Sequence, residues 1–132
     1  MSPAQAQLYW RAYAAAARAQ GWASVDGIER ARQARELGAV WVSPDLDQVL
    51  AAVWRIAGQL AADGGGNTDA NALRHACHVV AIGHGVSSKK LSNADFDSVL
   101  TLFRLLADPN RLANVIAWET VCAEVAPLTA HQ

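Results

Sequence analysis

Lysine occurs only twice in 132 residues, at Lys89 and Lys90. Charged residues of all kinds make up 17%, against roughly a quarter in an ordinary soluble domain, and the formal net charge is −1. This balance excludes the gross electrostatic footprint of a nucleic-acid binder and leaves only a local basic patch to consider. Cysteine is equally scarce. Cys77 and Cys122 both fall on apolar helical faces, which reads as two reduced core thiols in a cytosolic protein. The longest apolar segment, residues 50–62, is broken by Arg55 and Gln59 and is too short to span a bilayer. Gln5, Gln7 and Arg11 interrupt any hydrophobic region near the start, so no signal peptide is expected and the expected location is cytoplasmic. Strand character is confined to residues 39–42 (AVWV), without a partner, which reads as an apolar loop laying Trp41 on the core.

What remains is apolar and helical. Hydrophobic residues reach 52% in a chain of one domain's length. Ser2-Pro3 opens a first helix running to about Gln20, with Leu8, Tyr9, Ala12, Tyr13 and Ala16 as its stripe and Gly21 as its stop. Residues 24–37 form a weaker helix with a thin edge of Ile28, Ala31 and Leu37, an Arg32–Glu36 pair and a terminal Gly38. From Ser43-Pro44, Leu46, Val49, Leu50, Val53, Ala57 and Leu60 recur at helical spacing up to the glycine run 64–66. A fourth helix, capped by Thr68 or Asp69, is expected to bury Leu73, Ala76, Cys77, Val80 and Ala81. It is expected to present Asn71, His75 and His78 on its far side, and Gly83 ends it. Ser92 and Asp95 have capping-box spacing ahead of a broad apolar face from Phe96 to Leu106. Asp108-Pro109 is expected to cap a last helix, with Leu112, Val115, Ile116, Cys122 and Ala123 inward.

The predicted fold is therefore all-α: a single-domain irregular or orthogonal bundle of five or six helices over residues 1–132. DLDQVLAAVWRIA from Asp45 and DFDSVLTLFRLLA from Asp95 align without a gap, the pattern of a helix-loop-helix duplication over 24–62 and 68–107. Two unrelated capped amphipathic helices share that pattern. High apolar content, sparse charge and the width of the Phe96 to Leu106 face predict a homo-oligomer.

Three constellations bear on chemistry. His75 and His78 stand at i, i+3, with His84 just past the helix end, a spacing that can chelate zinc. Cys77 points elsewhere and no carboxylate is near in sequence, so surface histidines favourable to the helix dipole are the preferred reading, and no metal ligand is assigned. Residues 83–90 (GHGVSSKK) hold glycines, hydroxyls and two ammonium groups, the ingredients of an anion site. They lack the GxxxxGK[ST] order and follow a helix, so this is not a nucleotide loop, and a solvated loop is the alternative. Arg74, His78, His84, Ser87, Ser88, Lys89 and Lys90 together are the candidate partner-binding or nucleic-acid-binding residues. Glu119 projects from the apolar side of the last helix and needs a partner or a raised pKa. With no nucleophile–base or metal motif, neither an enzyme nor a cofactor is expected. The five tryptophans read as core or interface anchors.

Residues 74–107, with Tyr9-Trp10-Arg11 near the start, resemble small helical proteins of unassigned role in phage and prophage genomes. SSKKLSNADFDSVL, residues 87–100, is similar to a short module of the GemA-like regulatory proteins of Mu-type phages, where a serine-lysine loop leads into a capped acidic helix. The helix that usually separates the first helix from that loop is missing here. The resemblance implies an accessory or regulatory protein that acts by binding, with host or phage macromolecules as partners. Two functions follow. The first is a non-enzymatic protein-binding role, without membrane contact; the alternative is a small DNA- or RNA-binding regulator using the loop 83–91.

Overall fold

The computed structural model of the chain describes residues 1–38, 44–64, 68–84 and 87–108. Within them run five α-helices: α1 (Pro3–Gln20), α2 (Val25–Glu36), α3 (Pro44–Asp63), α4 (Ala70–Ile82) and α5 (Asn93–Ala107). One turn of 3-10 helix, Ser88–Lys90, precedes α5, and no strand occurs among the described residues. The all-α bundle expected from caps and stripes is the fold. The expected last helix with Glu119 and Cys122, the run 39–42 with Trp41, and Ser43 lie outside the described residues.

Short polar side chains start the helices. Ser2 Oγ accepts from the Gln5 N–H at 3.1 Å while Gln5 Oε1 accepts from the Ser2 N–H at 2.9 Å, a reciprocal box in front of α1. Asp69, rather than Thr68, caps α4 by accepting from the Ala72 N–H at 2.9 Å, and Ser92 caps α5 by accepting from the Asp95 N–H at 3.1 Å. Each such cap stabilises its helix by about 1 kcal/mol. Gly21 and Gly83 end α1 and α4 in the left-handed region, at φ 81° and 82°, where a side chain would clash with the following carbonyl.

α5 is the hub. Phe96, Val99, Leu100, Leu102, Phe103, Leu105 and Leu106 are all buried, and α5 packs against both α1 and α4. Burying a Leu or Phe side chain of this kind is worth about 1.5–3 kcal/mol. The breadth of this face, taken from sequence as a sign of a subunit interface, is consumed inside the chain by two neighbours. α1 lies parallel to α5: Gln5 Nε2 donates to Asn93 Oδ1 at 3.0 Å at one end, and Gln20 Nε2 to the Leu106 carbonyl at 2.9 Å at the other. Buried Ala16 and Ala17 keep that approach close. Leu8, expected in the α1 stripe, is 41% exposed, because the buried row runs through Tyr9, Ala16 and Ala17 instead.

α3 packs on α4, and Leu46, Val49, Leu50 and Val53 of the first and Leu73, Ala76, Cys77 and Val80 of the second are all buried. Trp22, just after Gly21, is buried edge-on to Trp54 of α3, with centroids 6.1 Å apart. α2 is tied to α3 by Arg35 Nη1, which donates to Asp47 Oδ1 at 2.9 Å. On its outer side Arg32 pairs with Glu29 and Glu36, as the i, i+4 spacing indicated for the second.

Candidate functional site

α1 and α4 meet through long side chains. Tyr9 projects from α1 into the interior and its Oη lies 2.6 Å from His78 Nε2 of α4. Arg74, one turn earlier on α4, donates from Nη1 to the same Tyr9 oxygen at 2.9 Å. A hydroxyl gives one hydrogen and accepts two, so Tyr9 serves both partners at once. The Tyr9 ring sits edge-on to Phe103 at 5.3 Å and to Trp10 at 5.0 Å. Tyr13, one turn along α1, donates to the Ala70 carbonyl at 3.1 Å, so the two helices run antiparallel.

Above this buried layer the cluster opens to solvent. Trp10 is 49% exposed, with the Arg74 guanidinium carbon 4.9 Å from the centroid of its ring. Arg74 Nη2 also reaches Asn71 Oδ1 and His75 Nε2, both at 3.4 Å. The His75 and His78 rings stack at 5.8 Å, nearly parallel. Burial, and then the Arg74 charge, hold His75 below its ordinary pKa, with Asp69 opposing. Burial raises the Tyr9 phenol despite its Arg74 contact, and raises the Tyr13 phenol as well. The buried Cys77 thiol is pushed up to about 12 by the same cause. Phenols and a thiol held neutral in this way are poor nucleophiles.

His78 is the clearest correction to the sequence reading. Expected on an outward face beside His75, it is fully buried. It faces α1 together with Arg74, both reaching the Tyr9 hydroxyl, while α3 and α5 pack on the rest of α4. The seven candidate residues consequently do not converge. Arg74 turns towards Tyr9 and Trp10, whereas Ser87, Ser88, Lys89 and Lys90 lie past Gly83. The eight residue steps of helix from Arg74 to Ile82 carry the chain about 12 Å along the axis before that group begins. Ser87 Oγ caps the 3-10 turn by accepting from the Lys89 N–H at 3.3 Å, and Lys89, Lys90 and His84 are exposed. Among the described residues, no group of three His, Cys, Asp or Glu is placed to hold a metal ion.

Tyr9 and Trp10 escaped the sequence reading as partners of Arg74. The available signal was one of charge. α1 and α4 contain no aspartate or glutamate, yet between them carry Arg11, Arg18, Arg74, His75 and His78. A cleft of about 560 Å³, bordered by Trp22, Val25, Ile28, Asp69 and Asn71, adjoins this cluster at Asn71. The Asp69 carboxylate and the Ser24 hydroxyl on its wall cap α4 and α2. No family model, curated protein or solved structure matches the chain.

Proposed function

We propose that this chain acts by binding a protein partner, through the face that α1 and α4 form around Trp10 and Arg74. The accessory role implied by the resemblance to phage and prophage helical proteins is of the same kind. One observation carries the reading: an exposed tryptophan that is nonetheless held in place. Trp10 packs edge-on against Tyr9 and Tyr13, with centroids 5.0 and 6.4 Å away, and Arg74 covers part of its face. Trp, Tyr and Arg dominate the energetics of protein interfaces, and the aromatic rings bury much area at small entropic cost. Here that cost is lower still, since the rings are already positioned. The neutral phenols and thiol support a binding role over a chemical one.

A photoreactive amino acid placed at Gln7, exposed on α1 one turn before Trp10, tests this in the source cell. The expected result is a discrete protein adduct, absent when the same chain also carries Trp10→Ala. Adducts to nucleic acid alone, or adducts lost only in a Lys89→Ala/Lys90→Ala chain, would overturn the reading in favour of the loop. Trp10→Ala should leave the fold intact, because the ring is half exposed and Tyr9 and Tyr13 keep their packing on Phe103.

A further inference from the structure

We infer that the occupant of this face is an acidic polypeptide segment, with a carboxylate on the outer edge of the Arg74 guanidinium and an adjacent apolar side chain on Trp10. The inference rests on the protein-binding reading above and adds the chemistry of the partner. It starts from an imbalance. Charged groups taken out of water are ordinarily paired, and the partly buried Arg35 follows that pattern with Asp47. Arg74 is half-buried, and among the described residues no carboxylate pairs with it.

Neutral groups cushion it instead. Of its five N–H donors, one makes a short bond, from Nη1 to the Tyr9 hydroxyl. Those on Nη2 reach Asn71 and His75 only at 3.4 Å, beyond the usual length for such bonds. A carboxylate is a better acceptor than either group and takes the guanidinium edge in a charge-assisted geometry. Tyr9 and Trp10 already fix the plane of that edge, so little ordering remains for binding to supply.

The surroundings agree in sign. Neither α1 nor α4 contains an acid that would repel such a partner. The carboxylate nearest to Arg74 in sequence, Asp69, caps α4 by accepting from the Ala72 N–H and stands about 7 Å of helix rise from Arg74. A peptide carboxylate also fits better than a nucleic-acid backbone. A phosphodiester chain repeats its charge and gains affinity from a row of cations, each neutralising one phosphate. This face offers a single fixed guanidinium, with His75 held towards its neutral form, while the lysine pair lies beyond the far end of α4.

The test uses the full chain, with three labelled probes: an octapeptide of alternating glutamate and leucine, its glutamine–leucine counterpart, and an eight-nucleotide oligothymidylate. The readouts are the Trp10 indole N–H and Arg74 Nε–H resonances, together with affinity by fluorescence anisotropy. The glutamate peptide is expected to move both resonances. Arg74→Gln and Trp10→Ala should each weaken it about tenfold or more, Arg74→Lys less, and Lys89→Ala/Lys90→Ala not at all. Trp10→Ala keeps the test valid should Arg74→Gln disturb the fold. Equal binding of the glutamine peptide, tighter binding of the oligothymidylate, or no response to the glutamate peptide at millimolar concentration would each overturn the inference. Should the peptide fail while the Gln7 probe still captures a protein in cells in a Trp10-dependent way, the acidic occupant is wrong and the binding role stands. Failure of both removes both.

Discussion

A methyl group on Gly27 would stand 2.3 Å from the carbonyl oxygen of Gly21. The neighbour is backbone, so it cannot swing aside as a flexible side-chain tip would. Gly27 lies inside α2, where helix propensity alone favours alanine by about 1 kcal/mol. The contact reverses that preference. Gly27→Ala is expected to destabilise the protein by about 1–3 kcal/mol, the usual cost of overpacking, or to detach α2 from the turn that carries Trp22. Urea unfolding followed by tryptophan fluorescence measures this; a neutral or stabilised variant would show that α2 shifts freely over Gly21.

Tyr9→Phe keeps the ring against Phe103 and Trp10 but removes the hydroxyl shared by His78 and Arg74. Two polar groups then lose a partner in a largely buried place, and a loss of about 1–3 kcal/mol is expected. Tyr13→Phe is the control. Its hydroxyl serves one carbonyl at the exposed rim, so less than about 1 kcal/mol should be lost. Equal losses in the two variants, measured by denaturant midpoint, would mean that the shared hydroxyl contributes nothing special.

Cys77 should be silent in the folded chain. It is fully buried and its thiol is pushed up to about 12, so at pH 8 almost no thiolate forms and no reagent reaches it. In a Cys122→Ser background, labelling by a disulfide reagent is expected to follow the opening of the bundle and to accelerate with urea through the unfolding transition. A rapid burst under native conditions would place the thiol outside the core.

These sites differ in how far they could be read from the chain. Helix starts and stops were legible because capping is local: Ser2, Ser24 and Ser92 each meet a backbone N–H three residues on. The stripe of α5 was legible because its period is helical. The orientation of His78 was not. A helix wheel separates apolar from polar faces, but it does not reveal that a second helix will bring a tyrosine hydroxyl to the polar one. Gly27 was illegible for a similar reason, since its partner is a carbonyl across a turn rather than a side-chain pattern. The Arg74 site required both helices at once: Trp10 and Arg74 are 64 positions apart, and only the antiparallel pairing of α1 with α4 joins them.

His75 gives the pH dependence a definite sign. Its pKa in the folded chain lies below the ordinary 6.5, chiefly from burial and then from the Arg74 charge, with Asp69 partly opposing. The unfolded chain therefore binds a proton at His75 more readily than the folded one does. Stability must then rise with pH wherever the two forms differ in protonation. On acidification the contribution begins to fall as the pH passes 6.5, and the loss is complete once the pH is below the lowered folded value. The chain carries three further histidines, so the comparison has to be between chains rather than between pH values. His75→Gln keeps a side chain able to hydrogen-bond Arg74 but cannot be protonated, and the fall in denaturant midpoint from pH 7.5 to 5 is expected to be smaller than in the parent. Arg74→Gln removes one cause of the shift, so the His75 resonance should titrate at a higher pH in that variant. An unchanged pH slope in His75→Gln, or an unmoved His75 titration in Arg74→Gln, would mean that the guanidinium and the imidazole are not coupled across the face that Trp10 completes.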